Sequence, residues 1–205
     1  MRQTLPGSAF EVMLRAMRAG LILAAALSAA VTAQAPASPE QLMRQLNTDL
    51  LNSRSATATL ETWCRDHRLA SEPKIVARLV PGAASAPSAE QLARLEVSSS
   101  DQVKYRQVDL RCGARTLSKA ENWYVPGRLT AEMNRVLDTT DTPFGRVVAS
   151  LEPYRKTIAT RMLWSGQGVA PSALFEHRAV LYTRDHKPFS EVLEVYQRQV
   201  LPARQ

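Results

Sequence analysis

The 205-residue sequence is poor in the residues that hold metal ions. It has two cysteines and three histidines, and none of them forms a CxxC pair or a Cys/His cluster. A structural zinc site takes four such ligands, so we expect no metal. The two cysteines, Cys64 and Cys112, either form a disulfide in an oxidising compartment or remain buried thiols.

A cluster of basic residues and a long apolar segment are also missing. The formal net charge is +7, but lysines and arginines alternate along the chain with aspartates and glutamates. Nucleic-acid binding needs a basic stripe, so we expect no nucleic-acid partner. The apolar run of residues 19–31 is shorter than the roughly 20 residues that a membrane-spanning helix needs, so we expect no stable membrane span.

This apolar run has the surroundings of a secretory signal. Arg15 and Arg18 precede it, and Ala33-Gln34-Ala35, a small-x-small cleavage pattern, follows it. A basic segment, a short apolar run and such a site are the three parts of a signal peptide. The sequence therefore predicts a signal peptide over residues 1–35, and an uncleaved anchor is the alternative.

Cleavage would leave residues 36–205, which suits one domain with a sizeable core. We expect this domain to be periplasmic or secreted and monomeric. Translation from Met13 or Met17 rather than Met1 would give the signal peptide a more usual length.

Helical patterns lie at the front and middle of this domain, and strand patterns fill the rest. Ser38, Pro39 and Gln41 form a helix start with a capping box, and a second short helix carries Trp63 and Cys64. The predicted strands are residues 74–80, 103–112, 117–125, 154–164, 174–183 and 189–200. Together they predict an α+β domain with a single antiparallel β-sheet of about six strands and helices packed on one face.

Four segments, in order, carry a family resemblance. Residues 55–61 are similar to an S-x-T-x-x-(L/F)-E turn, residues 105–113 to an R-x-V-x-L strand, and residues 142–146 to a T-P-L-G-R turn; Lys187-Pro188 followed by Glu194 is similar to a hairpin and strand glutamate. Over residues 40–202 the chain resembles the chorismate pyruvate-lyase family, which has a six-stranded antiparallel sheet with helices on one side.

The family converts chorismate to 4-hydroxybenzoate and pyruvate without a metal or organic cofactor. The resemblance implies that Arg106 binds a substrate carboxylate and that Glu194 is the acid/base carboxyl. It also implies that main-chain groups at Ala56 and Phe144 lie near the ligand, with Gly145 allowing close approach of the backbone. The ligand would be a small anionic aromatic or cyclohexadienyl carboxylate.

Two details leave alternatives open. Glu194 lies one residue further from Lys187-Pro188 than in the family, so Glu191 is the rival carboxyl. Strand alternation puts Arg106 and Glu194 on core-facing sides, where charges need partners, so they could also form a plain structural ion pair. His177 and Arg178, on the neighbouring predicted strand, are either further anion contacts or ordinary sheet residues.

Two functions follow from these residues. The first is an exported lyase acting through Arg106 and Glu194. The second is a non-catalytic periplasmic binding or sensor protein for a small aromatic carboxylate or a protein partner, and a purely structural envelope protein is a third possibility. Export argues against the exported lyase, because chorismate is a cytoplasmic metabolite.

Overall fold

The computed structural model describes residues 37–203, and the predicted signal peptide lies outside them. No helix in this range is long and apolar enough to cross a membrane. The helices are α1 (Pro39–Leu51), α2 (Ala56–Asp66), α3 (Ala89–Arg94), α4 (Ala131–Thr139) and α5 (Phe144–Val147). The strands are β1 (Ile75–Leu79), β2 (Lys104–Cys112), β3 (Arg115–Tyr124), β4 (Tyr154–Met162), β5 (Ala173–Tyr182) and β6 (Pro188–Gln197).

The six strands form one antiparallel sheet in the order β1-β2-β3-β6-β5-β4. The chain builds two three-stranded meanders, β1 to β3 and β4 to β6, which join where β3 pairs with β6. The hairpin predicted between the last two strands is present, because β5 and β6 pair directly. The predicted α+β architecture with six antiparallel strands is confirmed.

Helix α1 begins as the sequence predicts. The Ser38 hydroxyl accepts a hydrogen bond from the Gln41 N–H, and the Gln41 side chain accepts one from the Ser38 N–H. Met43, Leu46 and Leu50 then project from one face into the main core. Burial of each such side chain contributes about 1.5–3 kcal/mol, so this stripe fixes α1 on the sheet.

The two cysteines form a disulfide and are not buried free thiols. Cys64 of α2 is bonded to Cys112 of β2, with the two Cα atoms 6.5 Å apart. Both residues are fully buried in the main core. The bond therefore fastens α2 to the sheet face on which it packs.

Helix α3 is an addition that the sequence pattern did not predict. It lies in the connection between β1 and β2, and its Gln91 and Arg94 side chains bind Glu191. Glu191 points away from the face that carries Val192 and Glu194, because side chains alternate along a strand. The other helices cover one face as predicted, whereas α3 lies on the opposite face.

Candidate functional site

A cavity of about 400 Å³, partly open to solvent, lies between the sheet and the helices. Its floor is the sheet, and its roof is the start of α2, the helix α5 and the loop that follows. The apolar floor residues are Val108, Leu110, Ala120, Leu181 and Val192. The polar floor residues are Asn122, Arg155 and Glu194.

Glu194 is the carboxylate of this floor. Alternation along β6 turns it inward with Val192 and Tyr196, as the sequence predicts. Its Oε2 accepts a hydrogen bond from Arg155 Nη2 at 2.7 Å and one from the Tyr196 hydroxyl at 3.0 Å. Its Oε1 takes no hydrogen bond from residues 37–203.

Arg155 is the cation of this floor, and sequence reasoning missed it. The Arg155 and Glu194 side chains are only 4% and 6% exposed, so each neutralises a charge that would be costly to bury alone. Burial lowers the pKa of Arg155, but the neighbouring Glu194 carboxylate more than offsets this and holds that pKa above its ordinary value. Arg155 is the second residue of β4, an edge strand with mostly exposed residues, so no apolar pattern marks it as inward-facing.

Two aromatic groups support Glu194 from the core side. Tyr196 is fully buried, and burial together with the nearby Glu194 carboxylate raises the pKa of its hydroxyl well above the ordinary value. His177 lies across from Glu194 in the β5–β6 register, with its Nε2 2.8 Å from Asn47 Oδ1. Burial lowers the pKa of His177 to about 4, and the ring contacts Asn47 and does not line the cavity.

Asn122 is the third polar group of the floor and was also missed. It lies between Arg106 of β2 and Val192 of β6 in the sheet register, is 3% exposed and lines the cavity. No hydrogen bond within residues 37–203 involves its side chain. The amide atoms are not among the buried polar atoms left without a partner, so they are accessible from the cavity and can hydrogen-bond a polar group of a ligand.

The roof brings together the three main-chain candidates. Ala56 opens α2 after the Ser55 cap, and Phe144 and Gly145 open α5. A Cβ on Gly145 would lie 3.0 Å from Thr57 Oγ1, so the glycine lets α5 approach the start of α2 closely. The structure thus gathers Ala56, Phe144, Gly145 and Glu194 around one cavity.

Arg106 does not belong to that group. It faces the predicted side of β2, but its Nε donates to the Leu137 carbonyl at 3.1 Å and its Nη2 to the Thr142 carbonyl at 3.2 Å. It borders a separate surface groove that Lys104 and Tyr124 share. The expectation that Arg106 and Glu194 face one pocket, or pair with each other, is therefore corrected, since its donors are drawn to the end of α4.

The rival carboxyl, Glu191, lies on the other face of the sheet. Arg94 binds it at 2.7 Å and 3.1 Å, and Arg178 binds it at 2.7 Å. Burial raises the pKa of Glu191, but the two guanidinium groups outweigh burial and hold that pKa below its usual range. This cluster fastens α3, so Glu194 and not Glu191 faces the cavity. The other carboxyl that lines the cavity, Glu152, is exposed and pairs with Arg184.

The described residues contain no group of three or more His, Cys, Asp or Glu side chains placed to hold a metal ion. The cavity can instead hold a small molecule. Its volume lies near the lower end of the 300–1,000 Å³ range of ligand pockets, and its apolar walls with a few convergent polar groups have the usual composition.

Comparison with known proteins gives one sequence relative and several structural neighbours. No protein-family model matches the chain. The effector domain of PhnF from Mycobacterium smegmatis is 12% identical with a TM-score of 0.49, over 70% of this chain and 88% of that one. The ligand-binding domain of a putative GntR-family transcriptional regulator from Bordetella bronchiseptica is 17% identical with a TM-score of 0.44, over 60% and 82%.

The sequence relative is the uncharacterized protein y4mC of Sinorhizobium fredii (strain NBRC 101917 / NGR234). The two are 44% identical over 178 residues, which cover 78% of this chain and 75% of that protein. An identity this high over most of both chains means a shared fold and a common origin. The chain therefore belongs to the same family as y4mC of Sinorhizobium fredii.

Proposed function

We propose that this protein is an exported, non-catalytic binding domain for a small aromatic carboxylate. The observation that carries the proposal is the cavity of about 400 Å³ with apolar walls, an unpartnered Asn122 amide and a self-neutralised Arg155–Glu194 pair. Apolar walls accept a ring, and the few polar groups fix its orientation.

The roof supports recognition of the anionic end of such a ligand. The start of α2 offers backbone N–H groups and the positive end of a helix dipole, which favour an anion. Arg54 is exposed at this rim and makes no ion pair within residues 37–203. A carboxylate near Ala56 would meet positive potential from both sources.

The floor supports recognition of a neutral polar group at the other side of the ligand. Arg155 cancels the charge of Glu194, so the floor carries no net charge to bind an anion. Glu194 Oε1 is an open acceptor, and the Asn122 amide has an open donor and acceptor. A ring hydroxyl, which donates and accepts at once, satisfies both.

Export is part of the proposal and has two supports. The first is the signal-peptide pattern of residues 1–35. The second is the Cys64–Cys112 disulfide, because such bonds persist in oxidising compartments and are rare in the cytosol. We therefore propose a periplasmic or secreted location.

Chorismate lyase activity is the second candidate, and the presence of Glu194 in the cavity favours it. Two observations weigh against it. Arg106, the carboxylate-binding residue of the resemblance, contacts carbonyls outside the cavity. Glu194 Oε2 already accepts hydrogen bonds from Arg155 and the Tyr196 hydroxyl, which leaves only one oxygen of this carboxyl for a substrate. Binding without turnover is the better proposal.

Calorimetric titration of the mature protein with 4-hydroxybenzoate tests the proposal. Binding is expected for the wild type and should be lost in Ala120→Phe, which fills the cavity from its floor. Ala159→Phe, on the exposed part of β4, is the matched control and should bind normally.

Circular dichroism checks that both variants fold. Absence of binding by the wild type, or equal binding by Ala120→Phe, contradicts the proposal. The same protein mixed with chorismate separates the two candidates, because release of 4-hydroxybenzoate above the spontaneous rate would establish the lyase.

A further inference from the structure

Arg106 is a buried cation whose partners are main-chain carbonyls. It is 5% exposed, and its two hydrogen bonds go to Leu137 and Thr142. Leu137 lies in the last turn of α4, where carbonyls lack intrahelical partners and form the negative end of the helix dipole. The planar guanidinium reaches both carbonyls at once, and its buried Nη1 has no hydrogen-bond partner within residues 37–203.

The connection from α4 to α5 is residues 140–143; the Leu137 carbonyl lies just before it, and the Thr142 carbonyl lies within it. Within it, Thr140 Oγ1 donates to Thr142 Oγ1 at 2.8 Å. From outside, the Ala77 N–H donates to the Asp141 carbonyl at 2.8 Å. Arg106 is therefore the side chain that ties this connection to β2, while β1 holds it from the edge.

This connection leads directly into Phe144 and Gly145, the part of the cavity roof that α5 forms. Phe144 is fixed by Tyr124, with ring centroids 5.4 Å apart. Gly145 has little clearance to Thr57. A shift of residues 140–143 therefore moves Phe144 and Gly145 in the roof. The tight contact between Gly145 and Thr57 would then be lost.

We propose that Arg106 is a positioning residue that fixes the 140–143 connection, and through it the α5 part of the cavity roof, without touching the ligand. The expected effect of Arg106 on ligand affinity rests on the proposed function, whereas its effect on the 140–143 connection does not. This role differs from the carboxylate contact that the family resemblance implies.

Hydrogen exchange of the mature protein tests the first part. Arg106→Met removes both hydrogen bonds and should speed amide exchange in residues 140–147 while exchange in the central strands stays unchanged. Arg106→Lys keeps the positive charge and an ammonium donor but loses the planar fork, so it should give an intermediate rate. Arg161→Met is the matched control, because Arg161 is 68% exposed on β4. Unchanged exchange at 140–147 in Arg106→Met overturns the proposal.

Titration with 4-hydroxybenzoate and its uncharged methyl ester tests the second part. A positioning role lowers the affinity for both probes by the same factor, about tenfold, which corresponds to about 1.4 kcal/mol. Loss for the acid alone means direct carboxylate contact and overturns the proposal. If the wild type binds neither probe, the proposed function fails, and the exchange result still decides the role of Arg106.

Discussion

Reduction of the Cys64–Cys112 disulfide should lower the free energy of unfolding by about 4 kcal/mol. The two cysteines are 48 positions apart, and a cross-link that closes such a loop removes about 4 kcal/mol of chain entropy from the unfolded state. For a domain of this size, 1 kcal/mol shifts the melting temperature by about 2–4 °C. The expected decrease is therefore roughly 8–16 °C.

Urea unfolding of three samples isolates this effect. The oxidised and reduced wild types differ only in the bond, since the sulfur atoms fill nearly the same buried space. The Cys64→Ala/Cys112→Ala variant also loses buried sulfur, so it should be less stable than the reduced wild type because of the cavities left. The order of the three midpoints separates the cross-link from the packing.

Alkylation provides the decisive chemical check. The oxidised protein, unfolded without reductant and treated with iodoacetamide, should take up no label. Two labels per chain would refute the disulfide, and equal urea midpoints of the oxidised and reduced wild types would refute the entropic argument.

Three further predictions concern the cavity and its supports. Arg155→Met leaves the Glu194 carboxylate buried and unpaired, so it should cost about 3–5 kcal/mol in urea unfolding; Arg155→Met/Glu194→Gln should recover much of this loss, and no recovery would contradict the pairing. Asn122→Leu should weaken the binding of 4-hydroxybenzoate more than that of benzoate in calorimetry, and an equal loss would show that Asn122 does not bind the hydroxyl. Burial lowers the pKa of His177 to about 4, so the unfolded chain takes up this proton first as the pH falls below about 6.5, and stability should be lost from there down to pH 4. His177→Asn should remove about 3 kcal/mol of that pH dependence, which urea unfolding at pH 7 and pH 4 measures.

Much of the fold could be predicted because it depends on local patterns. The alternation in β2 and β6 identified the inward faces that carry Arg106 and Glu194. The Ser38–Gln41 capping box marked the start of α1. These signals arise from neighbouring residues, so they can be read along the chain. Helix α3 carries such a signal, a Ser88–Gln91 capping box, but its six residues are too few for an apolar periodicity, and it is held by Glu191 from a distant strand.

The site was less predictable because its partners are far apart in sequence. Glu194 and the roof residues could be located from motifs, but the choice of Arg155 as their cation depends on the pairing of β4, β5 and β6. The donors of Arg106 were drawn to carbonyls 31 and 36 positions away. A strand pattern predicts which face of the sheet a long side chain leaves from. It does not predict which groups the end of that side chain contacts.

The pairing of β3 with β6 determines when the cavity comes into existence. Among the described strands, every other pair joins strands that are consecutive in the chain. Distant contacts form slowly, because the entropy of loop closure must be lost before they stabilise the chain. Asn122 lies on β3 and Glu194 on β6, so the cavity floor is complete only after the two meanders have met. A ligand at this floor therefore binds only the fully folded chain. By mass action it stabilises the pairing of β3 with β6.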